Sequence, residues 1–231
     1  MIKPERKPVY MELFVEIRYW RFFKKKFWSR LLEDLEIGYL DKDLLPLLLR
    51  LNSDKNIYTL SSCSGRIVLS DSTYPWSREE TSVVFKKHDT ITVEELENVV
   101  SKPVVRRLWI NVNGPIIHLS VLKPRYVVLM LKIAREAGLK HSGILSINKY
   151  KGYILELMSG VKMTQLVKTP EKTYVDKDNL EELVDIVNKV YLEGKKILER
   201  LVRIVYEKIP IEEDDEIISE IKKYNLKVRY G

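Results

Sequence analysis

Apolar residues recur at two different periods along the 231-residue chain, and the change from one period to the other divides it into elements. Over residues 10–35 they return every three or four positions, including Leu13, Ile17, Trp20, Phe27, Leu31 and Leu35, which predicts an amphipathic helix. Residues 41–52 predict a second helix, and Asp54-Lys55-Asn56 a turn into a strand at Ile57-Tyr58-Thr59-Leu60. Further strands are expected at Ile67-Val68-Leu69 and at residues 81–85. Thr92-Val93-Glu94-Glu95 has the form of a capping box and predicts a short helix to about Val100. Strands at 104–112 and 116–121 flank Asn113-Gly114, the strongest short hairpin signal in the chain. Pro124 suits the first turn of the next helix, and Gly138 follows Ala137 where a left-handed residue ends one. Residues 142–147, 153–157 and 161–167 read as a meander punctuated by Lys151-Gly152 and Ser159-Gly160. Asp178-x-x-Glu181 predicts the cap of a long helix whose seam is Leu183, Val187, Val190, Tyr191, Leu198, Leu201 and Val205.

Strand–turn–strand units mixed with helices predict an α+β fold, with a largely antiparallel sheet built from strand hairpins and flanked by helices. The regular strand–helix alternation of a Rossmann-type sheet is missing. Residues 1–210 are expected to form a single α+β domain. Residues 211–231, acidic and then basic, are read as a C-terminal tail able to form a short helix and a strand.

Composition narrows the class of protein. The chain is 45% hydrophobic and 32% charged, as folded proteins are, and no apolar run is long enough to span a bilayer. Its first residues lack the apolar stretch of a signal peptide. A single cysteine excludes an internal disulfide and points to the cytoplasm. One cysteine and three histidines, without CxxC or HxxxH spacing, lead us to expect no metal centre. The net charge of +7 favours an anionic partner, nucleic acid first, although a Lys- and Glu-rich surface of the heat-adapted kind would give the same balance. Trp20-Arg21-Phe22-Phe23-Lys24-Lys25-Lys26-Phe27-Trp28 interleaves rings with cations, which suits a nucleic-acid face. At helical spacing the same rings would also serve as core.

The candidate chemistry gathers at strand ends. Ser61-Ser62-Cys63-Ser64-Gly65-Arg66 joins two apolar runs with small hydroxyl side chains, a glycine and a guanidinium. Small side chains let a ligand approach the main chain, and an arginine fork suits carboxylate or phosphate. The plainer alternative is a tight hairpin with a satisfied serine cluster. His88-Asp89, His118 and His141-Ser142-Gly143 are the other polar candidates. A histidine can exchange protons near neutral pH, whereas Cys63 is by default a small buried apolar group. No GxGxxG, GxxxxGK[ST] or GxSxG signature occurs.

Ser61-Ser62-Cys63-Ser64-Gly65-Arg66-Ile67 resembles the signature loop of the wybutosine-synthesising tRNA methyltransferase family. Leu108-Trp109, the strand Gly114-Pro115-Ile116-Ile117-His118-Leu119 and the segment Ala134-x-x-Ala137-Gly138-Leu139-Lys140-x-Ser142-Gly143-Ile144 resemble further family motifs in the same order. Leu139 stands where the family commonly has an aromatic, and the terminal tail has no counterpart. The resemblance implies an S-adenosylmethionine-dependent N-methylation of a tricyclic, guanosine-derived base beside the anticodon of phenylalanine tRNA. It also implies a cofactor held without a Rossmann fold. On that basis Ser61, Ser62, Cys63, Ser64 and Gly65 are expected to hold cofactor or acceptor, with Arg66 pairing a carboxylate or phosphate. His118, Ser142 and Gly143 would complete the binding set. His88 is the preferred proton acceptor and Asp71 the second. A non-catalytic module that binds tRNA and presents the nucleotide to a partner enzyme is the competing reading.

Overall fold

The computed structural model describes residues 15–77, 79–224 and 226. Within them lie helices α1 (Ile17–Glu36), α2 (Leu45–Asn52), α3 (Val93–Val100), α4 (Pro124–Ala137), α5 (Leu180–Lys208) and α6 (Asp215–Lys223). The strands are β1 (Ile57–Cys63), β2 (Arg66–Asp71), β3 (Ser82–Lys87), β4 (Leu108–Asn113), β5 (Ile116–Val121), β6 (Gly143–Asn148), β7 (Gly152–Met158) and β8 (Lys162–Lys168). They form two four-stranded sheets, in the orders β1-β5-β7-β6 and β3-β2-β4-β8. Every pairing is antiparallel, so the fold is α+β with no Rossmann-type parallel sheet.

The two sheets share three long strands, each broken at the same level. β1 continues into β2, β4 into β5 and β7 into β8, and each pair straddles the boundary between sheets. Cys63 faces Ile116 in the first sheet and Arg66 faces Asn113 in the second, so the register runs through the break unchanged. This corrects two expectations. Ser61–Arg66 does not close a β1–β2 hairpin, and Asn113-Gly114 does not close a β4–β5 hairpin; both are crossings between sheets. The third member of the expected meander likewise leaves its neighbours, because β8 pairs with β4.

Glycine serves close approach at this seam. A Cβ on Gly114 would lie 2.9 Å from Ser159 Oγ and 3.0 Å from the Val161 carbonyl oxygen. Gly65, at φ +107°, would place a Cβ 3.0 Å from the Asn113 carbonyl oxygen. Three backbones can meet there because these side chains are missing.

The helices cover the sheets and fix the seam. α5 is the spine: Leu180, Val184, Val187 and Tyr191 pack on the second sheet, and Leu198, Leu201, Val202 and Val205 join the core of the first. Gly194, between those halves, lets α5 rest against the β4–β5 crossing, since its Cβ would stand 3.1 Å from Gly114 Cα. The expected cap at Asp178 is replaced by a 3-10 turn (Lys177–Asn179), and α5 starts after Asn179 with no side-chain cap bond. At α3 the capping box forms as read: Glu95 N–H donates to Thr92 Oγ1 at 3.1 Å and Thr92 N–H to Glu95 Oε2 at 2.9 Å. α6 docks on α1, where Trp28 Nε1 donates to Glu220 Oε2 at 2.8 Å, and Ile217 and Ile221 enter the first core. The strand expected near residue 228 lies outside the described residues, as does the start of the helix expected from residue 10.

On α1 the aromatic–cation stretch divides by face. Trp20, Lys24, Trp28 and Leu31 are buried, while Tyr19 and Phe22 are exposed. Lys24 donates to the Asp54 carbonyl oxygen and pairs with Asp214 at 2.9 Å. No helix among the described residues is long and apolar enough to cross a membrane.

Candidate functional site

A cavity of about 470 Å³ opens where the seam meets the C-terminal half of α1. Ser61, Ser62 and Cys63 from the end of β1, Arg66 from the start of β2, Lys86 from β3 and His88 just beyond β3 form one side. Phe27, Arg30 and Asp34 of α1, with Tyr39 and Asp41 of the following loop, form the other. Five of the residues singled out in the sequence therefore share one cavity. The pleat explains much of this, because consecutive small residues at a strand end expose both faces and leave the main chain accessible.

Asp41 ties the loop to the seam. Its Oδ2 accepts the Ser64 N–H at 2.8 Å, and its Oδ1 stands 3.0 Å from His88 Nδ1. The histidine approach is close but poorly aligned, which leaves that buried ring nitrogen without a hydrogen-bond partner. Tyr191 Oη donates to the His88 carbonyl oxygen at 2.6 Å and fixes the backbone from the α5 side. Lys195, also on α5, donates to Ser64 Oγ at 2.7 Å and pairs with Asp43. Ser64 is thus buried under the turn and braces it. Asp41, Cys63 and His88 bring donor atoms within 4.8 Å of one another, three polar groups of different kinds at one point. Burial pushes the Cys63 thiol up from its ordinary value, and Asp41 adds to the effect. The group is therefore a protonated wall of the cavity, poorly suited to nucleophilic attack.

A second polar chain crosses the first sheet. Ser61 Oγ lies 2.9 Å from His118 Nδ1, and His118 Nε2 lies 2.9 Å from Glu156 Oε2. Their strands are adjacent, and Glu156 sits directly across from His118. Ser61 reaches the same row through a bulge: Thr59 faces Leu119, yet Ser61 faces His118, so Leu60 is the extra residue. Bulges re-aim side chains in this way. The result is a hydroxyl–imidazole–carboxylate chain whose hydroxyl end opens on the cavity.

Three sequence candidates lie elsewhere. Asp71, at the far end of β2, is buried with both carboxylate oxygens taken by backbone amides, from Val105 at 2.7 Å and Arg106 at 2.8 Å. Holding the chain there also explains why β4 starts at Leu108 and not at 104. Ser142 Oγ donates to the Leu139 carbonyl oxygen and accepts from Met158 N–H, bonds that brace the turn after α4. Gly143 opens β6 with open space around it. Asp41, Glu156 and Lys195 were not singled out from the sequence. They are ordinary charged residues of a loop, a strand and a helix, and only tertiary placement brings them to the seam.

A family model described as Methyltransferase TYW3 matches residues 23–207, which include both polar chains and all of the cavity. The chain belongs to this family. It is 45% identical over 178 residues, 77% of its own length and 85% of the relative's, to a protein of Saccharolobus solfataricus. That relative is named tRNA(Phe) 7-((3-amino-3-carboxypropyl)-4-demethylwyosine(37)-N(4))-methyltransferase. A protein of the same name from Aeropyrum pernix is 34% identical, over 77% of this chain and 94% of its own. Among solved structures, the PH1069 protein of Pyrococcus horikoshii superposes with a TM-score of 0.77 at 28% identity, covering 82% of this chain and 97% of its own.

Membership of the TYW3 family implies a methyl donor, and the donor set suits one with an amino-acid end and an aromatic base. Asp34 and Asp41 can accept from an ammonium, Arg66 can fork onto a carboxylate, and Phe27 and Tyr39 offer rings for stacking. His88 Nδ1, buried 3.0 Å from Asp41 Oδ1 without an aligned hydrogen bond, is an orphaned polar atom in the wall of this cavity.

Proposed function

We propose that the protein transfers a methyl group from S-adenosylmethionine to N4 of a 4-demethylwyosine-type base at position 37 of phenylalanine tRNA. The observation that carries this reading is the convergence of Ser61, Ser62, Cys63, Arg66 and His88 on one cavity, in a chain of the TYW3 methyltransferase family. The names of its relatives support the acceptor. A cytoplasmic setting follows from such a substrate.

S-adenosylmethionine supplies an electrophilic methyl on a sulfonium sulfur; the carbon–sulfur bond breaks, its electron pair stays on sulfur, and a carbon–nitrogen bond forms. The task of this chain is alignment and exclusion of water. Arg66 grips a carboxylate or phosphate, and the Ser61–Gly65 backbone and hydroxyls hold cofactor and acceptor. His88 takes the proton that N4 releases, with Asp41 beside it to balance the charge formed on the ring. His118 and Glu156 hold the Ser61 hydroxyl in one orientation against the acceptor. Asp71 is buried at the far end of β2, held by two backbone amides and outside the cavity lining, so His88 is the better placed of the two proposed acceptors.

The test is incubation of the purified protein with methyl-labelled S-adenosylmethionine and tRNA(Phe) carrying the precursor base. Label recovered on the base, and lost in His88→Ala and Arg66→Ala proteins that still fold, supports the reading. Retention of tRNA without label would favour the presenting module instead.

A further inference from the structure

We infer that the exposed side of α1 is a track for the RNA strand that leads into the cavity; this rests on the reading above. Tyr19, Phe22, Lys26 and Arg30 are spaced three and four apart, which puts them in one row along the helix. Tyr19 is 50% and Phe22 61% exposed, unusual for rings with a helix core face available to them. Arg30, at the end of the row, lines the cavity itself. From Tyr19 to Arg30 the row covers eleven helical steps, about 16 Å at the helical rise.

The turn between β6 and β7 widens the track. Tyr150 meets Tyr19 edge-on at 4.9 Å, and Lys149 sits over Tyr150. Lys151 lies 5.1 Å over the Phe23 ring. Among the described residues neither Lys26 nor Lys151 has a carboxylate partner, whereas Lys25 on the neighbouring face is paired with Glu216. Arg30 lies 3.8 Å from Asp34 and Lys149 2.6 Å from Glu16, so Lys26 and Lys151 are the cations of the track left open to phosphate. Exposed rings interleaved with such cations form the pattern that meets single-stranded nucleic acid, bases on rings and phosphates on cations. A protein partner would be expected to answer the cations with carboxylates and leave no stacking requirement. The track's direction is given by Arg30: nucleotides beside the target base lie along α1 while the base itself enters the cavity.

The experiment measures binding of precursor-bearing tRNA(Phe) to the full chain by fluorescence anisotropy, without any methyl donor, across a series of salt concentrations. Phe22→Ala is expected to weaken binding about tenfold with an unchanged salt slope, as loss of a stacked base would. Lys26→Ala is expected to weaken binding and reduce the slope of log K against log salt by about 0.7, as loss of one phosphate contact would. The single-turnover methylation rate at saturating tRNA should stay at the wild-type value for both. Unchanged affinity in both variants overturns the proposal, as does a Phe22→Ala protein that changes oligomeric state and keeps its tRNA affinity. A wild-type protein that binds tRNA along this row and methylates nothing would overturn the enzymatic reading and leave the track standing.

Discussion

Gly65→Ala is the sharpest probe of the seam. Gly65 holds φ +107°, where a side chain costs about 1–3 kcal/mol. The added Cβ would also stand 3.0 Å from the Asn113 carbonyl oxygen, a backbone atom of a paired strand that cannot rotate aside. Overpacking of that kind costs about 1–3 kcal/mol more. Against this, alanine stiffens the unfolded chain and returns about 0.4–1 kcal/mol. The net expectation is a loss of about 1–5 kcal/mol, centred on ~3, a large share of the roughly 5–15 kcal/mol that holds a domain together. Urea unfolding followed by circular dichroism should show the midpoint falling by about 1 M or more. Gly143→Ala is the control. Nothing lies within 4 Å of its Cβ position and its backbone is ordinary, so its midpoint should move by less than about 0.5 kcal/mol equivalent. Below both unfolding midpoints, Gly65→Ala should also lose methyl transfer, because Ser64 N–H and Arg66 take their positions from this turn. A Gly65→Ala protein as stable and active as wild type, or a Gly143→Ala protein equally damaged, would refute the reasoning.

Asp41→Asn keeps the size of the side chain but removes the charge beside His88, and should slow methyl transfer by about 10²-fold while tRNA affinity stays constant. Asp214→Asn should cost about 3 kcal/mol in urea unfolding, because it strands the ammonium of Lys24, which burial pushes below the ordinary lysine value. Lys24→Met in the same background should recover most of that loss. The hydrogen bond from Lys55 depresses Glu212 to about 2. Its stabilisation is therefore complete above the unfolded value near ~4.3 and lost as pH falls toward the folded value. Unfolding compared at pH 6 and near pH 3 should show a wild-type decline that Glu212→Gln partly abolishes.

Much of the local structure was legible because its causes are local. Thr92 and Glu95 lie three residues apart and satisfy each other's amides, and Pro124 and Gly138 bracket α4 by their own backbone preferences. Pairing between strands was a different matter. Asn113-Gly114 reads as a turn because that dipeptide accommodates positive φ, yet Gly114 is not among the glycines that take one. Its missing side chain is needed for Ser159 and Val161, residues 45 and more positions away, and no local pattern carries that. The site followed the same division. The residues of the serine-rich segment announced themselves by composition, whereas Asp41, Glu156 and Lys195 could be found only once the chain had folded. Asp71 shows the same division: an acid at a strand end looks free in sequence, and its two amide partners sit 34 and 35 residues away.

On the proposed reading, the seam takes the place of the glycine-rich loop and helix N-terminus of a Rossmann sheet. Where three long strands break together, the ladder bonds of the residues at the break are interrupted, and their amides and carbonyls need other partners. Some are taken within the chain, as Ser64 N–H is by Asp41 and Gly114 N–H is by the Val161 carbonyl. Beside them Ser61, Ser62 and Cys63 are small enough to leave the end of β1 reachable, while Arg66, Lys86, His88 and the side chains of α1 complete the wall. A sheet edge elsewhere would offer the same polar groups but invite another strand. Here α5 rests against one side of the break and α1 stands across the other. The bulge at Leu60 then adds the one side-chain adjustment that a regular ladder could not, bringing the Ser61 hydroxyl onto His118 and Glu156 at the cavity wall. Deleting Leu60 should restore a regular β1–β5 ladder, keep the fold and turn Ser61 away from His118. Methyl transfer should fall at least as far as it does in Ser61→Ala, and a deletion protein that folds and retains full activity would show that the bulge has no part in the chemistry.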